Sequence, residues 1–148
     1  MKATSLIGKN FTSDKVLFDT NLWIYLYGKV PEEKYAKVDA LLSVKIRSLI
    51  ISTQILGEIY NVLVKKKFRT RPQAQEIIAQ LVAGFDILEV DASKVLKALE
   101  INARYQYSYW DSLLVATAVQ SDCSVLYSED LQPNQLIEDK LRIINPFI

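Results

Sequence analysis

The chain has no histidine and a single cysteine, Cys123, in 148 residues. The first absence removes Ser-His-Asp and Cys-His nucleophilic mechanisms and every histidine general base. The two together remove the usual nitrogen and sulfur zinc sites. One cysteine cannot close an internal disulfide, which fits a reducing cytoplasm. No apolar run approaches the roughly 20 residues that cross a bilayer, and residues 1–15 lack the long apolar centre of a signal peptide. The expectation is therefore a cytoplasmic protein with no membrane attachment. Excess charge of either sign is also missing: eighteen basic residues against seventeen acidic ones leave a net charge of +1. The chain is not a generally basic nucleic-acid binder, and attraction to phosphate must come from a local patch. Internal repeats, low-complexity stretches and linkers are absent too. What remains for chemistry is carboxylates, hydroxyls, amides, lysine and arginine. Carboxylates with a hard divalent ion are the simplest working set among these.

Half of the residues are hydrophobic and 24% are charged, an ordinary globular composition at a length that suits one domain. Residues 1–13 read as an N-terminal extension and residues 14–148 as the domain. Lys15-Val16-Leu17-Phe18 is a short apolar run ending at Asp19, as expected of a buried strand. Leu22 to Tyr27 reads as a short helix stopped by Gly28. Pro31-Glu32-Glu33 opens a second helix, with proline and acids in the first turn. Leu49-Ile50-Ile51 is a second strand. Ser52 or Thr53 caps a helix running to about Lys67, and Pro72 starts another that ends near Gly84. Asp86 to Val90 is a third strand, and Asp91 caps a helix to about Arg104. Trp110 to Ser121 is a further helix, Ser124 to Tyr127 a fourth strand and Leu141 to Ile144 a fifth. Short apolar strands alternating with amphipathic helices predict an α/β fold, a mostly parallel sheet of about five strands covered by helices. In such sheets functional groups gather beyond the carboxyl ends of the strands.

Four acids stand out against this frame. Asp19 directly follows the first strand, a place that also suits a turn former. Glu58 shares an i, i+3, i+4, i+7 stripe with Ile55, Ile59 and Val62. A charge on an apolar stripe is costly unless paired or bound to a cation, and the stripe's edge can also let it reach water. Asp111 shares a stripe with Leu114, Val115 and Ala118, while Ser108-Tyr109-Trp110-Asp111 also reads as a capping box. Asp130 follows the fourth strand, where a turn before Pro133 is the plainer reading. Glu129 is adjacent, and spacing does not say which of the two points inward. Brought together, such acids would raise one another's pKa values, and a divalent ion would relieve the repulsion. Oxygen-only ligands suit Mg²⁺ or Mn²⁺.

Four segments in order resemble a PIN domain, specifically the VapC type of toxin ribonuclease. They are Val16-Leu17-Phe18-Asp19-Thr20-Asn21, Ser52-Thr53-Gln54-Ile55-Leu56-Gly57-Glu58, Tyr109 to Ala118 with its D-x-L-L-x-A-x-A pattern, and Leu126-Tyr127-Ser128-Glu129-Asp130-Leu131. The likeness runs from Val16 to Phe147. It implies a three-layer α/β/α sandwich and a divalent-metal-dependent endoribonuclease that is the toxin of a type II toxin–antitoxin pair. It assigns Asp19, Glu58, Asp111 and Asp130 as ligands of Mg²⁺ (or Mn²⁺) and as the catalytic set. Thr20 or Asn21 would help orient Asp19 or a metal-bound water, and Ser128 matches a hydroxyl position near the site. A homodimer and a small antitoxin partner are implied by the resemblance alone. The chain departs from the family pattern in having Ser128 where threonine is frequent and Leu131-Gln132-Pro133-Asn134-Gln135 where relatives carry a glycine. Its stretch before the first strand is also longer.

RNA as substrate calls for nearby cations. Lys65-Lys66-Lys67-Phe68-Arg69-Thr70-Arg71 is the dense basic run, and Lys66, Lys67 and Arg69 are the candidate RNA contacts. Lysines also suit a solvated helix end. Trp23, Tyr25, Tyr27, Tyr107, Tyr109 and Trp110 could stack on bases, though such residues more commonly fill cores or interfaces. Tyr25 and Tyr27 beside Trp23 would suit a dimer or partner surface. Two rivals among phosphoryl-transfer domains fit less well. A dehalogenase-type phosphatase wants D-x-D where Asp19-Thr20-Asn21 stands, and a receiver domain wants a lysine that Ser128-Glu129-Asp130 does not supply. A rival of another class is a non-catalytic PIN-like module that binds RNA or protein.

Overall fold

In the computed structural model, which describes residues 14–148, the chain enters through β1 (Lys15–Phe18), a strand whose Val16, Leu17 and Phe18 are all buried. The extension expected at residues 1–13 lies outside the described residues. After β1 come α1 (Thr20–Gly28), α2 (Glu32–Lys45), β2 (Leu49–Ser52), α3 (Thr53–Lys65), α4 (Arg71–Gly84) and β3 (Asp86–Leu88). The second half runs α5 (Ala92–Tyr105), α6 (Tyr109–Gln120), β4 (Cys123–Tyr127), β5 (Leu136–Ile137) and β6 (Leu141–Ile144). The six strands form one sheet in the order β3-β2-β1-β4-β6-β5. All pairings are parallel except β5 with β6.

The order contains one reversal. From β1 the chain steps outward to β2 and β3, then returns past β1 to lay β4 on its other side. Right-handed crossovers in opposite directions place their helices on opposite faces. Accordingly α1 packs on α2 and α3, and α3 on α4, whereas α5 packs on α6. The carboxyl ends of β1 and β4 are the point where the direction switches, and this is where open α/β sheets bind their ligands.

Local chemistry accounts for most boundaries. Ser52 caps α3 by accepting from Ile55 N–H at 3.2 Å, and Thr70 with Gln73 forms a reciprocal capping box on α4. Asp91 caps α5 through Lys94 N–H. α1 is stopped by Lys29, in the left-handed region at φ 61°, rather than by Gly28. Gly28 is needed for another reason: a Cβ there would stand 2.9 Å from the Phe68 ring. α3 ends two residues earlier than the pattern predicts, because Lys67 turns to φ 62° and the N–H groups of Phe68 and Arg69 fold back onto Leu63 carbonyl oxygen. β3 ends at Leu88, opposite the last residue of β2, and Val90 N–H donates to Thr53 Oγ1 instead of a strand. β5 was not apparent from its sequence. It returns to β6 through Glu138 and Asp139, both at positive φ, which supply the mirror-image turn that hairpins favour without the usual glycine.

The core lies on both faces of the central strands, with Leu17, Ile51, Leu126 and Ile143 meeting Ile55, Ile59 and Leu63 of α3 and the interior of α6. Every residue of α6 from Ser112 to Val119 is buried. That helix is enclosed all round rather than amphipathic, and its first turn, carrying Asp111, is its open end. No helix among the described residues is long and apolar enough to cross a membrane. Replacing Ile59, which is 0% exposed, by alanine should cost about 2–5 kcal/mol of stability through lost contacts and a residual cavity. Val44→Ala, at a position 77% exposed, should change it by about 0.5 kcal/mol or less. Urea-denaturation midpoints of the two variants measure the contrast.

Candidate active site

Asp19 is the first residue beyond β1, and its N–H continues the ladder by donating to Tyr127 carbonyl oxygen at 2.8 Å. Its carboxylate is thereby fixed at the reversal in the sheet, only 9% exposed. Oδ1 accepts from Thr20 N–H at 2.7 Å and Oδ2 from Ser128 Oγ at 2.8 Å. Ser128 stands just past β4, is fully buried, and also accepts from Asp130 N–H at 3.1 Å. One hydroxyl therefore ties the first acid to the loop that carries the last.

The two residues after Asp19 serve the other acids. Thr20 Oγ1 donates to Glu58 Oε1 at 2.5 Å, and Asn21 Nδ2 donates to Asp130 Oδ2 at 3.1 Å. Beyond the Thr20 N–H bond to Asp19, each side chain reaches across the fold to a different carboxylate. Glu58 takes a second bond from Gln54 Nε2 at 3.2 Å, and the same amide donates to Trp110 carbonyl oxygen at 3.1 Å. Gln54 therefore links Glu58 on α3 to the first turn of α6. Its i, i+4 spacing from Glu58 was a visible signal for this contact. Asp111 occupies that first turn, where its own N–H is capped by Ser108 Oγ.

Burial pushes the Asp19 carboxyl up from 3.8 to about 6. The bonds from Ser128 and Thr20 work against the rise, and the negative charges of Glu58 and Asp111 add to it. Asp19, Glu58 and Asp111 thus share one electrostatic neighbourhood, and Asp130 joins it through Asn21 and Ser128. The donor set is all oxygen, mutually repelling and partly desolvated, which suits a hard divalent cation. Asn21 Oδ1 adds a buried oxygen with no hydrogen-bond partner. Among the described residues, however, no three acidic groups stand at the mutual spacing of an assembled metal site.

Glu129 is turned away from this set. It is ion-paired to Lys34 at 2.6 Å and accepts a short hydrogen bond from Tyr25 OH. Burial would push its carboxyl up, but Lys34 and Tyr25 outweigh that and hold it low. The Lys34 ammonium also lies over the rings of Tyr25 and Phe147. Glu129 thus anchors the loop to α1, α2 and the C-terminus while Asp130 beside it faces Asn21. Lys34 lies 95 residues from Glu129, so no local pattern could have revealed the pair.

The other candidates separate by position. Trp23 is 1% exposed and belongs to the core, and Tyr25 is engaged as described. Trp110 is 62% exposed beside the acids. Lys66 and Lys67 are exposed at the far end of α3. Lys66 lies eight positions after Glu58, a rise of about 12 Å along the helix. Arg69 is held by the fold, since its guanidinium donates to Phe68 and Tyr27 carbonyl oxygens at 2.8 and 3.1 Å. Cys123 is buried and its thiol is pushed up to about 12, which makes it inert.

The raised Asp19 pKa has a thermodynamic consequence. A carboxyl that holds its proton more tightly when folded favours folding fully only below its unfolded pKa. That contribution is lost as pH rises through about 6. In a chelating buffer, stability should therefore fall by on the order of 3 kcal/mol more in the wild type than in Asp19→Asn between about pH 4 and 7. Denaturation midpoints across that range, for both proteins, check it.

The chain was also compared with known proteins. No curated protein matches it in sequence. In fold it is similar to the solved structure of VapC20 from Mycobacterium tuberculosis, described as a sarcin-ricin loop cleaving toxin. The two are 21% identical, with 78% of this chain and 90% of that one covered and a TM-score of 0.65. A toxin–antitoxin complex from Klebsiella pneumoniae is similar at 20% identity, 89% and 98% coverage and a TM-score of 0.67. VapBC2 from Rickettsia felis, solved with a DNA fragment from its promoter, is similar at 18% identity, 88% and 98% coverage and a TM-score of 0.61. These likenesses concern the fold. The PIN-domain family profile matches residues 16–136, a span that takes in Asp19, Glu58, Asp111 and Asp130, and the chain accordingly belongs to the PIN-domain family.

Proposed function

We propose that the protein is a divalent-metal-dependent endoribonuclease and the toxin of a type II toxin–antitoxin pair. The observation that carries this reading is the buried Asp19 carboxylate at the β1–β4 switch point, destabilised by Glu58 and Asp111 and tied to Asp130 through Ser128. Asp19, Glu58, Asp111 and Asp130 would hold Mg²⁺ or Mn²⁺. Such an ion supplies an activated water and stabilises the developing charge on a phosphodiester. The chain's own residues prepare the site. Ser128 and Thr20 N–H fix both oxygens of Asp19, Thr20 Oγ1 and Gln54 aim Glu58, and Asn21 holds Asp130. With no histidine available, one of these carboxylates would serve as any base the reaction needs.

One of the similar structures is a toxin–antitoxin complex by its description, another is VapBC2 bound to a fragment of its promoter DNA, and one toxin is described as cleaving the sarcin-ricin loop. They support a small antitoxin as partner and RNA as substrate, and we propose that the protein acts in the cytoplasm. We also propose a homodimer. Lys66 and Lys67 would contact the RNA backbone away from the cut; Arg69, occupied by two carbonyls, contributes less.

The alternative is a PIN-like module that binds RNA or protein without cutting; among the described residues no three acidic groups form an assembled metal site. Metal binding separates the two. On the nuclease reading, Mn²⁺ at a hundred times its Kd raises stability by about 2.7 kcal/mol, and the purified protein cleaves RNA. Asp19→Asn and Asp111→Asn abolish cleavage, and Ser128→Ala lowers it roughly 10- to 100-fold. An unshifted melt together with intact RNA would favour the binding module. For the basic patch, Lys66→Gln with Lys67→Gln should reduce the salt slope of RNA affinity by about 2. An unchanged slope removes these lysines from the interface.

A further inference from the structure

Beside Glu58, between α3 and α6, the surface opens into a cavity of about 730 Å³, a size typical of small-ligand sites. Gln54, Tyr60, Asn61, Trp110 and Leu113 line it with Glu58. Of the described residues around it, Glu58 is the only charged one. A phosphate would find no cation there and one repelling carboxylate. A flat, neutral group bearing hydrogen-bonding edges would find an indole face, a phenol and two carboxamides. Trp110 is 62% exposed even though tryptophan is costly to leave in water. Its ring is braced by Tyr109 in an edge-on contact, 5.0 Å between centroids. Its carbonyl is tied to Gln54, which is tied in turn to Glu58. The aromatic is therefore held in fixed relation to the acids.

We propose that this cavity is a nucleobase subsite: one base of a single-stranded RNA stacks on Trp110 while its edge meets Asn61, placing the adjoining phosphate toward Glu58 and Asp19. The proposal rests on the nuclease reading for the cleavage step and for the cation that would offset the acids beside the phosphate, but stacking of the neutral base itself needs no metal. Stacking on an aromatic tolerates any base, so preference among bases would come from the Asn61 carboxamide.

The test uses the whole chain in a chelating buffer, where cleavage is off. The probes are short single-stranded RNA oligomers of each base and an abasic oligomer of equal length. The chain has two tryptophans. Trp23 is 1% exposed, so quenching by a bound base reports Trp110. Base-bearing oligomers should quench emission to saturation and the abasic one should not. Trp110→Leu should abolish the quench and weaken affinity roughly 10- to 100-fold, with Trp110→Phe falling between. Equal binding of the abasic oligomer, or unchanged affinity in Trp110→Leu, overturns the subsite and leaves this face to a protein partner. Cleavage with Mn²⁺ separates the two claims. If wild type and Trp110→Leu cut RNA with the same KM, the subsite falls and the nuclease stands. If bases quench Trp110 but no RNA is cut, the subsite stands and the nuclease reading falls.

Discussion

The structure turns on one carboxylate placed where it is electrostatically unwelcome. Asp19 sits between the carboxyl ends of two central strands, nearly out of water and within reach of two further negative charges. A buried charge of this kind persists only when its surroundings hold it. Here the backbone of Thr20 and the hydroxyl of Ser128 do so, one on each oxygen. The remaining unfavourable energy is what a cation would relieve, so the same burial that weakens the metal-free fold would drive binding.

The neighbouring residues extend that logic outward. Thr20 and Asn21 are neighbours in the chain, yet they hold acids from α3 and from the loop after β4. Ser128 repeats the pattern from the other side. Asp19, Glu58 and Asp130 are therefore each held by a side chain from a different part of the fold, whereas Asp111 is placed by the first turn of its own helix. Glu129 illustrates the reverse arrangement. Its charge is neutralised by Lys34, which removes it from the site and uses it to anchor the Asp130 loop. Two adjacent acids thus have opposite roles because their environments differ.

The basic run and the aromatics divide in the same way. Lys66 and Lys67 are free to meet a backbone, whereas Arg69 completes the end of α1 and Phe68 packs against Gly28. Trp23 fills the core and Trp110 faces the cavity. Residue type alone assigns each pair one role, and solvent exposure separates them.

The alternation of short apolar strands and helices, the caps at Ser52, Asp91 and Ser108, and the exceptional positions of Asp19 and Glu58 were all legible along the chain. Each depends on spacing within a single turn or a single strand, which local sequence governs. The hairpin through Glu138 and Asp139 was not legible, because positive φ at those residues is imposed by the pairing of β5 with β6. Nor were the long-range partners of the acids. Thr20 with Glu58, Asn21 with Asp130 and Lys34 with Glu129 join residues 38, 109 and 95 positions apart. Only the sheet order decides which strand ends become neighbours, and with them which acids share a site.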